Sequence, residues 1–248
     1  MTRLQELIGL VPATSSRTIM PGQRGNRGRM LLLDQDVPHE SDLERDFLLT
    51  LRFEPTLAAV RAQPFAIPCV SADGRTTRYT PDFLVVMAGP PARGMLVEIK
   101  YVADLKADWR NLKPRLRAGR SRAHDLGLDF LLLTERQIRD AQLENYRFLD
   151  RFRLIARDEA VEEHLVHRLA SVGPSSPRRL LAATFETEQW QHHAKPFMWK
   201  LVATGRIMAS MDEGPLDMEK TILWIDGCSN WRPYDPYSRK HQMRARKP

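Results

Sequence analysis

Tyr79-Thr80-Pro81-Asp82-Phe83-Leu84-Val85-Val86-Met87 and, after a Gly89-Pro90-Pro91 turn, Met95-Leu96-Val97-Glu98-Ile99-Lys100-Tyr101 form the stretch that decides the fold. Both halves are rich in strand formers, and Glu98 follows Asp82 by sixteen positions. Side chains alternate along a strand, so Met95, Val97, Ile99 and Tyr101 fill one face while Glu98 and Lys100 share the other. If the turn folds the two strands back antiparallel, Asp82 lies near both charges, because direct and diagonal cross-strand partners are only about 5 to 8 Å apart.

Upstream, Ser41 to Phe53 reads as a helix with a capping-box start, Ser41 as N-cap and Glu44 three residues on. Pro55 ends it. Phe65 to Val70 is extended, Asp73-Gly74 turns the chain, and Thr77 to Met87 is extended again, interrupted by Pro81. Downstream, Leu116 to Leu126 has helical character, Gly127 stops it, and Phe130 to Leu133 is an apolar run suited to a buried strand. The order is helix, three strands, helix, strand, an α/β unit that a helical stretch from Glu135 to Phe152 could close. From Asp158 the pattern changes to three short helices, Glu159 to Ala170, Pro177 to Phe185 and Pro196 to Thr204. Two extended runs follow, Arg206 to Met211 and Lys220 to Ile225, about an Asp212-Glu213-Gly214-Pro215 turn, which suggests a winged helix-turn-helix. The expected organisation is a flexible basic arm (1–38), the α/β domain (39–153), the winged-helix domain (158–227) and a basic tail (228–248).

The 248 residues are 42% hydrophobic and 28% charged, the balance of a folded chain of one or two domains. Cys69 and Cys228 are too few for a disulfide framework or a four-cysteine zinc site, so a reducing cytoplasm is expected. No apolar run has the length of a membrane span, and Arg3 and Glu6 interrupt the place of a signal-peptide core. The net charge of +7 is unevenly spread. Arg239, Lys240, Arg244, Arg246 and Lys247 crowd the C-terminal end without an acid, and Arg17, Arg24, Arg27 and Arg29 punctuate a Gly- and Pro-containing stretch. Between Asp108 and Asp125 lie Arg110, Lys113, Arg115, Arg117, Arg120 and Arg122, again without an acid. Phosphate is the natural counter-surface for such clusters, since each contact releases condensed counterions. Solvated faces and a solubilising tail are the plainer alternative.

Two carboxylates and an ammonium converging on apolar-backed strands suit a magnesium site. Hard cations prefer carboxylate oxygen and water, and such an ion polarises a phosphodiester and helps deliver the attacking water. The lysine can position or deprotonate that water, or offset charge growing on phosphate. The same spacing also fits a Glu-x-Lys surface pair with Asp82 as a turn residue after proline. Glu44 tips the balance: Leu43, Phe47, Leu51 and Leu48 span roughly 140° of a helical wheel, and Glu44 falls inside that arc. An acid aimed at the core needs a partner, which a metal would supply; the competing partner is Ser41 in the capping box.

Pro81-Asp82 with Glu98-Ile99-Lys100, on this order of elements, resembles the PD-(D/E)xK nuclease superfamily, and implies an α/β restriction-endonuclease-like core followed by a winged helix-turn-helix. Ser41 to Phe47, Phe53-Glu54-Pro55, Gln63-Pro64, Tyr79 to Val85, the 119–134 stretch and Leu201 to Ile207 further resemble TnsA, the endonuclease subunit of heteromeric transposases. The resemblance implies hydrolysis of the non-transferred strand at the 5′ ends of a transposon, with a TnsB-type DDE transposase cutting and joining the 3′ ends and a TnsC-type AAA+ regulator as a further partner. It implies Glu44, Asp82 and Glu98 as ligands of Mg2+, with Mn2+ as a substitute, and Lys100 as the catalytic lysine. Ile99 would contribute at most a backbone carbonyl. A non-catalytic DNA-binding scaffold and a stand-alone restriction or repair nuclease are the other functions that fit.

Among the remaining candidates, His164, His167, His192 and His193 read as surface or DNA-facing residues, since adjacent histidines diverge and no cysteine lies nearby. Trp190, Phe197 and Trp199 are spaced for a helical core or a partner surface, and Ser175-Ser176 for capping. Lys195, Lys200, Arg178 and Arg179 lie on the expected helix-turn-helix, where they would meet DNA phosphate.

Overall fold

A computed structural model describes residues 2–16, 27–211 and 214–225. It divides after Ile138 into two compact units. The first holds α1 (Arg3–Gly9), β1 (Gly28–Leu32), β2 (Gln35–His39), α2 (Asp42–Arg52), β3 (Leu57–Ala62), β4 (Ile67–Val70), β5 (Thr76–Tyr79), β6 (Phe83–Met87), β7 (Arg93–Ile99), α3 (Val102–Ala107), α4 (Trp109–Asp125), β8 (Asp129–Leu133) and α5 (Glu135–Ile138).

A four-stranded sheet in the order β3-β6-β7-β8 is its centre. β6 runs antiparallel to both β3 and β7, as the Pro90-Pro91 turn requires, whereas β8 lies parallel to β7. A parallel neighbour needs a long crossover, and α3 with α4 supplies it. Every residue of β6 is buried, and β7 is buried from Gly94 onward, because both faces of the sheet are covered. Phe83, Val85, Met95, Val97 and Ile99 pack with Leu43, Phe47, Leu48 and Leu51 of α2. Leu84, Val86 and Leu96 pack with Leu7 of α1, Tyr79 and Ala123 of α4. Phe47 and Phe83 meet at 5.6 Å between ring centroids, and each is only 1% exposed or less. Truncating either to alanine removes about 3 to 5 kcal/mol. α4 approaches closely because residue 119 is glycine: a Cβ there would stand 2.7 Å from Phe130 Cε2 and 2.8 Å from Tyr79 Cε1.

Several expectations need correction. The basic arm is not flexible throughout: α1 buries Leu7 completely, and β1 and β2 pair as a hairpin. Its two-residue turn, Leu33-Asp34, has φ of 47° and 58°, the left-handed pair that a tight hairpin demands. Asn-Gly or Asp-Gly would have announced that turn; Leu-Asp did not. Arg17 and Arg24 lie outside the described residues, as do Cys228 and the basic tail. The third core strand is β3, whose Leu-Ala-Ala-Val-Arg-Ala carries weak strand propensity and is held by its register with β6. The 65–70 segment instead pairs with β5 as a separate hairpin. α4 begins at Trp109 and carries Pro114 inside it.

The second unit contains α6 (Ala141–Asp150), α7 (Glu159–Val172), α8 (Pro177–Thr184), α9 (Glu188–Ala203) and an antiparallel pair, β9 (Met208–Ala209) with β10 (Leu223–Trp224). The helical stretch expected to close the α/β unit breaks at Asp140, which caps α6 by accepting from Gln142 and Leu143 N–H. α6 packs within the second unit: Asn145 donates to the carbonyls of Met211 and Gly214 and accepts from Leu216 N–H, while Phe148 meets Trp199 edge-on at 5.3 Å. The division therefore falls before α6, where the sequence placed it between Phe152 and Glu159. Ser176 caps α8, and α9 starts at Glu188, eight residues ahead of the Pro196 expected to open it. Among the described residues no helix is long and apolar enough to cross a membrane.

Candidate active site

The β6–β7 register pairs Phe83 with Val97. One step outward it sets Asp82 opposite Glu98, as alternation and the turn predict. Asp82 Oδ2 accepts from the Ile99 backbone N–H at 2.7 Å, which ties the start of β6 to the end of β7. Lys100 Nζ lies 2.8 Å from Glu98 Oε1, 3.5 Å from Asp82 Oδ2 and 2.9 Å from the Ile99 carbonyl. That carbonyl is therefore engaged by the lysine. Glu98 is 4% exposed and its other oxygen, Oε2, accepts from the Tyr79 hydroxyl at 2.7 Å. Asp82 Oδ1 accepts no hydrogen bond among the described residues.

Glu44 sits at the start of α2 with its helix-opening partners. Oε2 accepts from the Glu40 N–H at 2.8 Å, Oε1 accepts from the Ser41 hydroxyl at 3.0 Å, and Glu44 N–H donates to that hydroxyl oxygen. The structure shows the capping role, and the same carboxylate also feels the charges of Asp82 and Lys100. Among the described residues, however, no three Asp, Glu, His or Cys side chains stand close enough to hold a cation by themselves. The expected Glu44, Asp82 and Glu98 set is not assembled as a three-acid cage.

Charge dominates the site. Burial, then the neighbouring Glu98, pushes Asp82 up to about 7, against the pull of Lys100 and the Ile99 N–H. Burial, then Asp82, pushes Glu44 up to about 7. Burial pulls the Lys100 ammonium down, but Asp82 and Glu98 outweigh it and hold the group above its ordinary range. Burial and Glu98 push the Tyr79 phenol far up, so it stays a donor. Three acids face one ammonium, and a divalent cation would balance the excess. The donor set is all oxygen, which suits a hard cation such as Mg2+.

The basic candidates separate. Arg110, Lys113, Arg115, Arg117, Arg120 and Arg122 are all exposed on α4. Leu112, Leu116, Gly119 and Ala123 form the buried stripe; Arg110, Lys113, Arg117 and Arg120 flank it on one side, Arg115 and Arg122 on the other. Lys195 is half-buried on α9. Lys200 does not face outward: its Nζ is 2.9 Å from Glu162 Oε1 with only 12% of the side chain exposed, and Arg206 joins the same carboxylate at 3.0 Å. Arg178 pairs with Glu219. Trp199 is core, whereas Trp190 is 55% exposed and stacks on Phe185. Tyr79 is the functional neighbour that sequence reasoning passed over, although it stands three residues before Asp82.

A mixed sheet thus brings a Pro-Asp step and a Glu-x-Lys strand end to one rung. Residues 54–135, from the end of α2 to the start of α5, match the family model TnsA-like endonuclease N terminal. That stretch is similar to TnsA-like endonuclease domains, which supports a nuclease. It contains Asp82, Glu98 and Lys100 and excludes Glu44. No curated protein matches the chain.

Proposed function

We propose that the protein is a Mg2+-dependent DNA endonuclease subunit of a heteromeric transposase, acting in the cytoplasm on the non-transferred strand at the 5′ transposon ends. In this reading a TnsB-type DDE transposase processes the 3′ ends and a TnsC-type AAA+ regulator joins them. The observation that carries it is the convergence of Asp82, Glu98 and Lys100 at one rung inside the matched region.

Asp82 and Glu98 would hold the cation, with Glu44 alongside; when bound, the metal polarises the scissile phosphodiester and lowers the pKa of water. Tyr79 fixes the Glu98 carboxylate through its hydroxyl. Lys100, held beside both carboxylates, would position the attacking water or offset charge growing on the phosphate. The exposed cations of α4 would track the phosphate backbone without reading sequence. Within the second unit, α7, α8 and α9 with the short antiparallel pair would serve as a winged helix that binds DNA or docks on the regulator.

Strand-resolved cleavage at transposon ends, with the partner transposase present, tests the assignment. Asp82→Ala and Lys100→Ala abolish the 5′ cut and leave 3′ cutting detectable. Full 5′ cleavage by either variant contradicts it.

A further inference from the structure

The rung that joins Asp82 to Glu98 continues onto the next strand. Ala62 pairs with Phe83, so one step outward Gln63 stands opposite Asp82, and its N–H donates to the Asp82 carbonyl at 2.8 Å. The Gln63 backbone is left-handed, with φ 46°, a conformation uncommon outside glycine, asparagine and aspartate. It is held there from one side: the N–H and hydroxyl of Ser16 both donate to the Gln63 carbonyl, at 2.8 and 3.0 Å, and the Ser15 hydroxyl donates to the Ala62 carbonyl.

The side chain that this backbone presents is 8% exposed, and its oxygen Oε1 is buried with no hydrogen-bond partner. Leaving a buried acceptor unmet costs about 1 to 3 kcal/mol, so such a group is a strained choice for packing alone. Amide carbonyl oxygens are, however, among the ligands that hard divalent cations accept. The acids of this site do not form a three-member cage among the described residues, and a glutamine one strand away carries an unused oxygen ligand.

We propose that Gln63 Oε1 is a further ligand of the divalent cation held by Asp82 and Glu98, an inference that rests on the metal-dependent nuclease reading above. The three positions would then supply oxygen from three neighbouring strands, and the left-handed backbone at Gln63 is what aims the third.

The test is titration of the full chain with Mn2+ by calorimetry, together with its urea unfolding in EDTA. Gln63→Met keeps side-chain length and removes the oxygen. It weakens Mn2+ binding at least about tenfold, with a metal-free unfolding midpoint equal to or above wild type because the orphaned acceptor is gone. Gln63→Glu retains Mn2+ binding. Wild-type affinity in Gln63→Met while Asp82→Ala binds none overturns the Gln63 assignment and leaves the cation site standing. A lowered metal-free midpoint in both Gln63 variants assigns the amide a packing role and overturns it too. Wild-type affinity in Asp82→Ala, or no Mn2+ binding by the wild-type chain, overturns the cation site itself and the inference with it.

Discussion

Asp82→Asn trades the function of the site for stability, and the sign depends on pH. In the folded chain the Asp82 carboxyl titrates at about 7, against 3.8 for an ordinary aspartate. Between roughly pH 4 and 7 the folded protein therefore binds a proton that the unfolded chain has released, so stability falls as pH rises through that window. Above it the full cost of an ionised, buried carboxylate beside Glu98 is present. Three pKa units at about 1.36 kcal/mol each set that cost at about 4 kcal/mol. Asparagine stays neutral and keeps an oxygen for the Ile99 N–H. Metal-free Asp82→Asn is accordingly more stable than wild type at pH 8, by up to about 4 kcal/mol, with the difference vanishing near pH 4. Urea unfolding in EDTA at both pH values, compared at equal m, measures it. Saturating Mg2+ raises the wild-type midpoint at pH 8 and leaves the variant unmoved. A variant less stable than wild type at pH 8, or a difference independent of pH, refutes the electrostatic reasoning.

Tyr79→Phe removes a buried hydrogen bond to a carboxylate and should cost about 1.5 to 3 kcal/mol, read as a lower melting temperature; a loss below about 0.5 kcal/mol would show that the hydroxyl holds nothing. Gly119→Ala gains helix propensity of about 1 kcal/mol but drives a methyl group into Phe130 and Tyr79, so the net effect is destabilising, with cleavage falling as the tyrosine shifts. Unchanged cleavage in a stable Gly119→Ala chain would separate α4 from the site. Replacing Arg110, Lys113, Arg117 and Arg120 together by alanine makes DNA binding less sensitive to salt, the logarithmic slope shrinking by about 0.9 for every phosphate that no longer meets a cation. Lys200→Ala leaves that slope alone and instead destabilises the second unit, because Glu162 is deprived of one of its buried partners; the opposite pattern would place the DNA-facing surface on α9.

The meeting of Asp82, Glu98 and Lys100 was legible because it follows from two local rules, alternation along a strand and reversal at Pro90-Pro91. The start of α2 was legible for the same reason, since Ser41 and Glu44 signal it within four residues. What escaped was set by tertiary structure. Leu33-Asp34 takes a turn conformation that its residue types do not favour, and β3 is a strand because β6 pairs with it. Tyr79 reaches Glu98 through a fold of the β4–β5 hairpin that no spacing along the chain encodes. The sequence context of Lys200 suits phosphate, but its partner is Glu162, far away in sequence. The sequence leaves Glu44 open between capping and the site, and in the fold its carboxylate serves the cap while feeling the charge of Asp82.

If the proposed function holds, Asp82 and Glu98 face a shared cation beside Lys100. Anomalous diffraction from crystals soaked in Mn2+ tests it most directly. A peak is expected within coordination distance of Asp82 and Glu98 oxygens, with Lys100 Nζ adjacent. A peak elsewhere on the chain, or none at Asp82 in crystals of a cleavage-active protein, would contradict it.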